Sequence, residues 1–503
     1  MADLAQMYAY IDAHFDDYLE EIRRFLAQPG YSHTGEGMEQ SAAMALEYIR
    51  SLGSEGCRLV PTDGYQVATG FLRSRNPQAK TLIVYSFYDE VPVNPTDWTF
   101  PAHEGRIVDA EQLDLPTHLG KVMCGRATAN QRGPMMACVL AIRALLDVIG
   151  EVPVNLLWVW EGEDEIQSPH LQQYIDQAYD ELDKADGWWC PGFRQDERGR
   201  FVDVRGFKGT LKVELEIKGG SWGGTLSGKD LWSANLPWVD APYWRMIRVL
   251  ATLVDEDDRI TIDGFWAKVR PITPEERHEL DEVQARFDEE ETRQTLGIAR
   301  FRGGRSGIEL LERFIMDPML NVVGMTGGYT GRGIFTTLPM HVVAKLDFRF
   351  PPDLRSDDIM ALLREHLDRR GFPEVQIRRI GGYEWSRTPP DDPLMIASAR
   401  AAKRHGFEYF RWPTHAAVNT CSLFNQPPLR LPVSFAGAGH GGRWHQPDEY
   451  CTVEGMRDAM KYALTFIHEW AMLGGPPRRF QRAPEGAISS QAEDVRVESG
   501  EGG

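Results

Sequence analysis

Cysteine is scarce in this chain and carries no pattern. Its six residues, Cys57, Cys124, Cys138, Cys190, Cys421 and Cys451, are scattered without a CxxC pair. That excludes a zinc ribbon and gives no disulfide framework, so a reducing, cytoplasmic setting is expected. Long apolar runs are missing as well. The apolar positions near the start (Leu4, Met7, Ile11, Phe15, Tyr18, Ile22, Phe25) form a helical stripe interrupted by acids, not a signal core, and no segment reads as a membrane span. Basic residues are outnumbered, with 55 Lys and Arg against 74 Asp and Glu and a net charge of -19. That balance argues against nucleic acid or an anionic membrane as partner and points to a small molecule. No internal repeat is visible.

With 503 residues, 42% of them hydrophobic and 26% charged, the chain can bury a large core and form two to four domains. Its most informative stretch runs from Trp160 to Ser168. The unbroken apolar run Leu156 to Trp160 predicts a buried strand, and Ser168-Pro169 predicts the cap and first turn of a helix. Glu161, Glu163, Asp164 and Glu165 therefore crowd a strand-to-helix turn. At the carboxyl end of a strand in an α/β domain, such acids either share protons or hold a cation, while elsewhere they make a solvated loop.

The surrounding order predicts an α/β fold: a doubly wound mixed-sheet catalytic domain with an inserted α+β, ferredoxin-like lid. Strands are predicted at 66–72 and 81–85, followed by a nearly all-apolar helix over 135–149 that is opened by Gly133-Pro134 and closed by Gly150. From about Arg205 the pattern alternates: Leu211, Val213, Leu215 and Ile217 are dry, and Lys212, Glu214, Glu216 and Lys218 are wet. The same alternation returns over Val342 to Phe350. This places the first catalytic part at 1–205, the lid at 206–382, the second catalytic part at 383–474 and a disordered tail at 475–503. The charged segment Glu275 to Arg293 reads as a solvated helical face.

Ten short stretches together carry a resemblance. They include Asp89-Glu90-Val91-Pro92, Gly125-Arg126, Gly133-Pro134, Glu161 to Glu165, Asp230-Leu231-Trp232-Ser233, Gly327 to Gly331, Asp347-Phe348-Arg349 and His445 to Tyr450. In this order and spacing the chain resembles the zinc aminoacylase/carnosinase superfamily (metallopeptidase family M-twenty), most closely its dipeptidase branch, over about residues 60 to 470. The resemblance implies hydrolysis of dipeptides or N-acyl amino acids, a homodimer made through the lid, and two zinc ions sharing a carboxylate and a water.

Departures from that pattern alter the expectation. The first zinc histidine falls on Phe87, the bridging aspartate on Asn130 and a further aspartate near Gly192, which leaves Glu165 and His445 as metal ligands. The general-base glutamate falls on Asp164, whose shorter side chain moves its oxygen by about 1 Å, a displacement that can lower rates about 100-fold. The oxyanion histidine falls on Trp232. The carboxylate-gripping loop falls near His415, after Arg411, while Arg349 matches the family's carboxylate-binding arginine.

Three readings stay open. One is an acid–base enzyme without cofactor, its catalytic residues Asp164, Glu165, His445, Asp89 and Asn130 and its substrate-binding residues Arg349, Trp232, His415, Arg411, Phe87 and Arg126. Another is a hydrolase with one zinc on Glu165 and His445. The third is a non-catalytic binding protein. In each the partner is a small amino-acid-like molecule, with no nucleic acid and no membrane.

Overall fold

The structure, a computed structural model, describes residues 4–257, 259–474 and 477. Its centre is a six-stranded mixed sheet built from β1 (Glu55–Val60), β2 (Val67–Leu72), β3 (Thr81–Phe87), β4 (Asn155–Glu161) and β5 (Gly187–Trp189), closed by Val433–Ser434. The spatial order is β1-β2-β4-β3-β5 and then Val433–Ser434. β3, β4, β5 and the closing strand run parallel, and β1 and β2 antiparallel. Every residue of β3 and β4 is buried, which is why their sequences are near-continuous apolar runs rather than alternating ones. One face packs on the N-terminal helices and on helices Arg132–Ile149 and Val453–Met472, through residues such as Ile22, Met136, Leu140, Trp158 and Phe466. The other face packs Ile83, Tyr85, Leu157 and Val159 against Ile175, Phe424 and Phe435.

Parallel pairing sets Phe87 beside Glu161 at the strand ends. The turns that follow, Tyr88 to Glu90 and Gly162 to Ser168, thus emerge side by side at the carboxyl edge where α/β sheets bind ligands.

A second sheet is wholly antiparallel, in the order β7-β8-β6-β9, from β6 (Gly209–Lys218), β7 (Met319–Thr326), β8 (His341–Phe350) and β9 (Gln376–Tyr383). Its dry face packs Leu211, Val213, Leu215, Val342, Leu346 and Phe348 on helices Pro242–Ala251 and Ser356–Arg369. Its wet face carries Thr210 and Lys212 opposite Arg349 and Asp347. That face reaches the acidic turn, where the Lys212 ammonium and the Tyr383 hydroxyl both donate to Gln167, to its side-chain and main-chain oxygens respectively.

Several sequence expectations change. The first helical stripe is divided at His14 into helices Leu4–Ala13 and Phe15–Leu26. Ser168 does not cap a helix: its φ is 45° and its hydroxyl donates inward to Glu161 Oε1 at 2.8 Å, while the next helix begins at Leu171. The segment read as a solvated face forms helices Pro274–Gln284 and Glu289–Thr295. It buries Leu280 and Val283 against Leu311, Ile315 and Phe410, and buries Glu276 between Arg270 and Arg387. The tail expected over 475–503 lies, Pro477 apart, outside the described residues.

Candidate active site

Two buried acids, Asp89 and Glu161, and the half-buried Asp164 form the floor. Asp89 leaves the end of β3 fully buried. Its Oδ2 accepts the Glu165 backbone N–H at 3.0 Å while Oδ1 has no hydrogen-bond partner. Burial, reinforced by the Glu165 charge, pushes its carboxyl up to about 7. Glu161, the last residue of β4, accepts from the Ser168 hydroxyl and from the Tyr85 hydroxyl. Tyr85 Oη also lies 3.3 Å from Asp164 Oδ1 and itself accepts from the Thr420 hydroxyl at 3.0 Å. Burial pushes Glu161 up to about 8. Asp164 is raised well above the usual carboxylate range, by burial first and then by the charges of Glu161, Glu165 and Asp89. Two carboxyls gathered around one phenol cannot both ionise at neutral pH, so this pair retains a proton.

Beside the floor, Asn130, Glu165 and His445 converge. Asn130 Nδ2 is 2.8 Å from Glu165 Oε1 and 2.9 Å from His445 Nε2, and His445 Nε2 is 3.1 Å from Glu165 Oε2. The bond to Glu165 raises the His445 pKa above its ordinary value. His445 Nε2 thus meets an Asn130 N–H on one edge and a Glu165 oxygen on another, two neighbours with opposite hydrogen-bond demands. If Nε2 carries hydrogen it clashes with the Asn130 N–H; if it does not, it opposes the carboxylate. A cation or one more shared proton relieves the conflict.

The loop holding Asn130 is anchored from below. Glu449 Oε1 accepts the N–H groups of Ala129 and Asn130 at 3.0 and 2.9 Å, and Glu449 Oε2 accepts from Arg126 Nη1 at 2.7 Å. Both partners of this ion pair are buried, and Arg126 also lies under the Trp98 ring. Arg126 therefore does not offer its charge to a substrate, contrary to the sequence expectation. Arg411 is corrected for the same reason: its guanidinium is 3.6 Å from the buried Asp203 carboxylate and donates to Met395 O and the Tyr409 hydroxyl. Phe87 packs with Tyr85, Cys190 and Phe207 in the apolar core under the sheet. Trp232 is 68% exposed on a two-residue strand paired with Thr337–Leu338. Arg349 stays on the wet face of the second sheet, Nε donating to Asp347 Oδ2 at 3.0 Å. His415 packs against Phe207, Phe314 and Trp412. Burial, with Arg194 and Lys208 nearby, pushes its pKa down to about 4 and keeps it neutral.

Sequence reasoning missed Tyr85, Thr420 and Glu449 as members of the site. Glu449 lies four residues after His445 in a recognised motif, so its signal was available. Tyr85 and Thr420 are 335 residues apart and carry none. The cysteines near the site are not reactive: burial pushes the Cys124 thiol up to about 12 and that of Cys190 further still.

A two-layered α/β cleft with strand-end acids below and a polar sheet face above defines an enzyme-like scaffold, and the comparisons name it. The chain belongs to the family described as "Peptidase family M20/M25/M40", whose profile matches residues 84–469. It is 23% identical over 500 residues to the Cys-Gly metallodipeptidase dug1 of Schizosaccharomyces pombe, covering 93% of this chain and 98% of that one. To the Beta-Ala-His dipeptidase of Rattus norvegicus it is 22% identical over 415 residues, with 76% and 78% covered. Among solved structures, the M20 family metallo-carboxypeptidase Sso-CP2 of Sulfolobus solfataricus superposes with a TM-score of 0.80 at 30% identity, covering 91% of this chain and 99% of that one.

A two-zinc site does not fit the residues at this cleft. Phe87 offers no donor atom. A side chain placed on Gly192 would have its Cβ 3.3 Å from Arg194 Nε, so the chain's own cation already stands there. Glu165 and His445 are the two charged or imidazole donors that remain together, with the Asn130 side chain between them.

Proposed function

We propose that this chain acts on a dipeptide-like or N-acyl amino-acid molecule, moving protons with its own side chains instead of a pair of zinc ions. The observation that carries this reading is the Tyr85 hydroxyl set between the Glu161 and Asp164 carboxyls, beside the Glu165–His445 pair. Glu165 orients His445, which takes a proton from an attacking group. Asp164, held protonated, gives one to the departing nitrogen. Arg349 holds the substrate carboxylate and Asp89 steadies the Glu165 main chain. The resemblance assigns ligand positions to Phe87, Asn130 and Gly192, none of which supplies a charged donor, and this supports the absence of a dinuclear centre.

The triangle favours a second reading, one cation held by Glu165, His445 and the Asn130 carbonyl oxygen. Bound there, it would supply Lewis acidity. Turnover of a dipeptide panel in the presence of strong chelator, lost in Asp164→Asn and His445→Ala, supports the first reading. About one zinc per chain, removed together with activity by chelation, replaces it with the second. No turnover under either condition removes both.

The same proposal includes a cytoplasmic homodimer joined through the lid. β7 is an edge strand whose Met319, Val322, Val323 and Met325 are exposed, as are Trp244 and Ile247 on the helix Pro242–Ala251. An uncovered apolar edge of this kind suits a second copy of the chain, and Trp232 is assigned to the wall of the cleft in that assembly. A monomer in sedimentation analysis overturns the dimer.

A further inference from the structure

Two cations beside the cleft have no carboxylate of their own. Lys208 is 3% exposed, and its Nζ donates to the main-chain oxygen of Asp317 at 2.7 Å. Arg194 donates from Nε to Phe435 O at 3.1 Å, lies over the Phe435 ring and fills the space beside Gly192. Among the described residues no carboxylate oxygen lies within 4.0 Å of either. The nearest acids are engaged elsewhere. Asp203 accepts from Tyr409 and Ser398 and pairs with Arg411, and Asp317 is taken by Arg313. Burial pushes Lys208 down to about 7 and Arg194 is half-buried, and basic groups so placed are ordinarily paired, above all in a chain with 74 acids.

These groups are contiguous with the site. Lys208 N–H donates to His415 O at 3.0 Å, and the His415 ring meets Phe207, which meets the Phe435 ring under Arg194. Arg349 shares the wet face of the second sheet with Thr210 and Lys212. On the other side Cys190, two residues before Gly192, accepts from Gln131 Nε2 at 3.3 Å, next to Asn130. Basic side chains thus border the cleft from the second sheet to the loop that holds Asn130, with the Asp347 carboxylate bonded to Arg349. A single carboxylate on Arg349 leaves Arg194 and Lys208 without an anion.

We propose that Arg194 and Lys208 form a second anion subsite, so that the preferred substrate carries two carboxylates at this end, as in a peptide or N-acyl derivative of aspartate or glutamate. The inference rests on the amino-acid-like substrate proposed above and sharpens it. Charge-assisted bonds to such a group predict about ten- to a hundredfold tighter binding than to a neutral isostere.

Calorimetric titration of the full chain with N-acetylglutamate and N-acetylglutamine reads this directly, because the two differ only in the second carboxylate. The glutamate is expected to bind at least tenfold tighter, and the ratio to fall towards one in Arg194→Gln and in Lys208→Met. Equal binding of the two by the native protein overturns the second subsite and leaves the proposed function standing. A preference that survives both substitutions overturns the assignment of these residues. Binding of neither overturns this subsite together with the amino-acid-like substrate.

Discussion

At the floor of the cleft Asp89, Glu161 and Asp164 are acids driven towards neutrality, while Glu276, whose side chain is also out of solvent, is driven the other way. Glu276 sits between Arg270 and Arg387 and caps its own helix through Thr273, and these partners outweigh burial to hold it at about 2. The floor acids have hydroxyls and backbone N–H groups for company, and each other, so burial wins. Burial alone therefore does not mark a functional carboxylate. What separates the two regions is how many cations stand beside the acid against how deeply it is buried: Glu276 has two guanidiniums, while Glu449, fully buried with only Arg126, is still pushed up to about 7. The basic band of Arg194, Lys208 and Arg349 repeats the contrast with the sign reversed.

The comparison breaks most sharply through activity. Asp164→Asn and His445→Ala are each expected to lower kcat/KM by about 10²- to 10⁴-fold, the range of a lost general acid or base, in steady-state assays on the substrate found. A loss smaller than tenfold would make the floor structural, like Glu276. Next comes Arg126→Met, which strands the buried Glu449 and is expected to destabilise the chain by about 3–5 kcal/mol in urea unfolding. A raised KM with unchanged stability would return Arg126 to the substrate. Arg349→Met is expected to raise KM about ten- to a hundredfold for carboxylate-bearing substrates with little change in kcat, as for one charged hydrogen bond worth about 1.5–3 kcal/mol.

Stability also depends on pH, by about 1.4 kcal/mol per unit of pKa difference. Glu161 keeps its proton when folded and releases it near 4.5 when unfolded, so its contribution is present at acid pH and is lost as pH rises from about 4.5 through about 8. Glu276 contributes stability above about 4.5 that is lost as pH falls through about 2. Unfolding at a series of pH values should show Glu161→Gln flattening the neutral limb and Glu276→Gln the acid limb. The same limb flattened by both would erase the distinction.

Much of this was legible in the chain. The run from Leu156 to Trp160 announces a strand buried on both faces, and the alternation from Leu211 to Ile217 announces a sheet with one wet face, because side-chain periodicity is a local property. The crowding of four acids at one strand-to-helix turn was legible as well, because they are neighbours in the chain. Arg126 and Arg411 were misread because a guanidinium near a motif looks the same in sequence whether it faces a ligand or a buried carboxylate. Ser168 looked like a helix cap because Ser-Pro has that local preference, and the demand of buried Glu161 for a donor overrode it.

The sequence by itself determined the elements, the two kinds of sheet, the family and the short roll of groups able to do chemistry, all of which depend on neighbours in the chain. Only the tertiary structure decided which charges meet. Thr420 reaches Tyr85, Glu449 reaches Asn130, and Arg194 reaches Phe435 O beside Gly192. Whether a buried group is charged, neutral or waiting for a ligand depends on partners hundreds of residues away, and electrostatic energy follows distance in space, not along the chain.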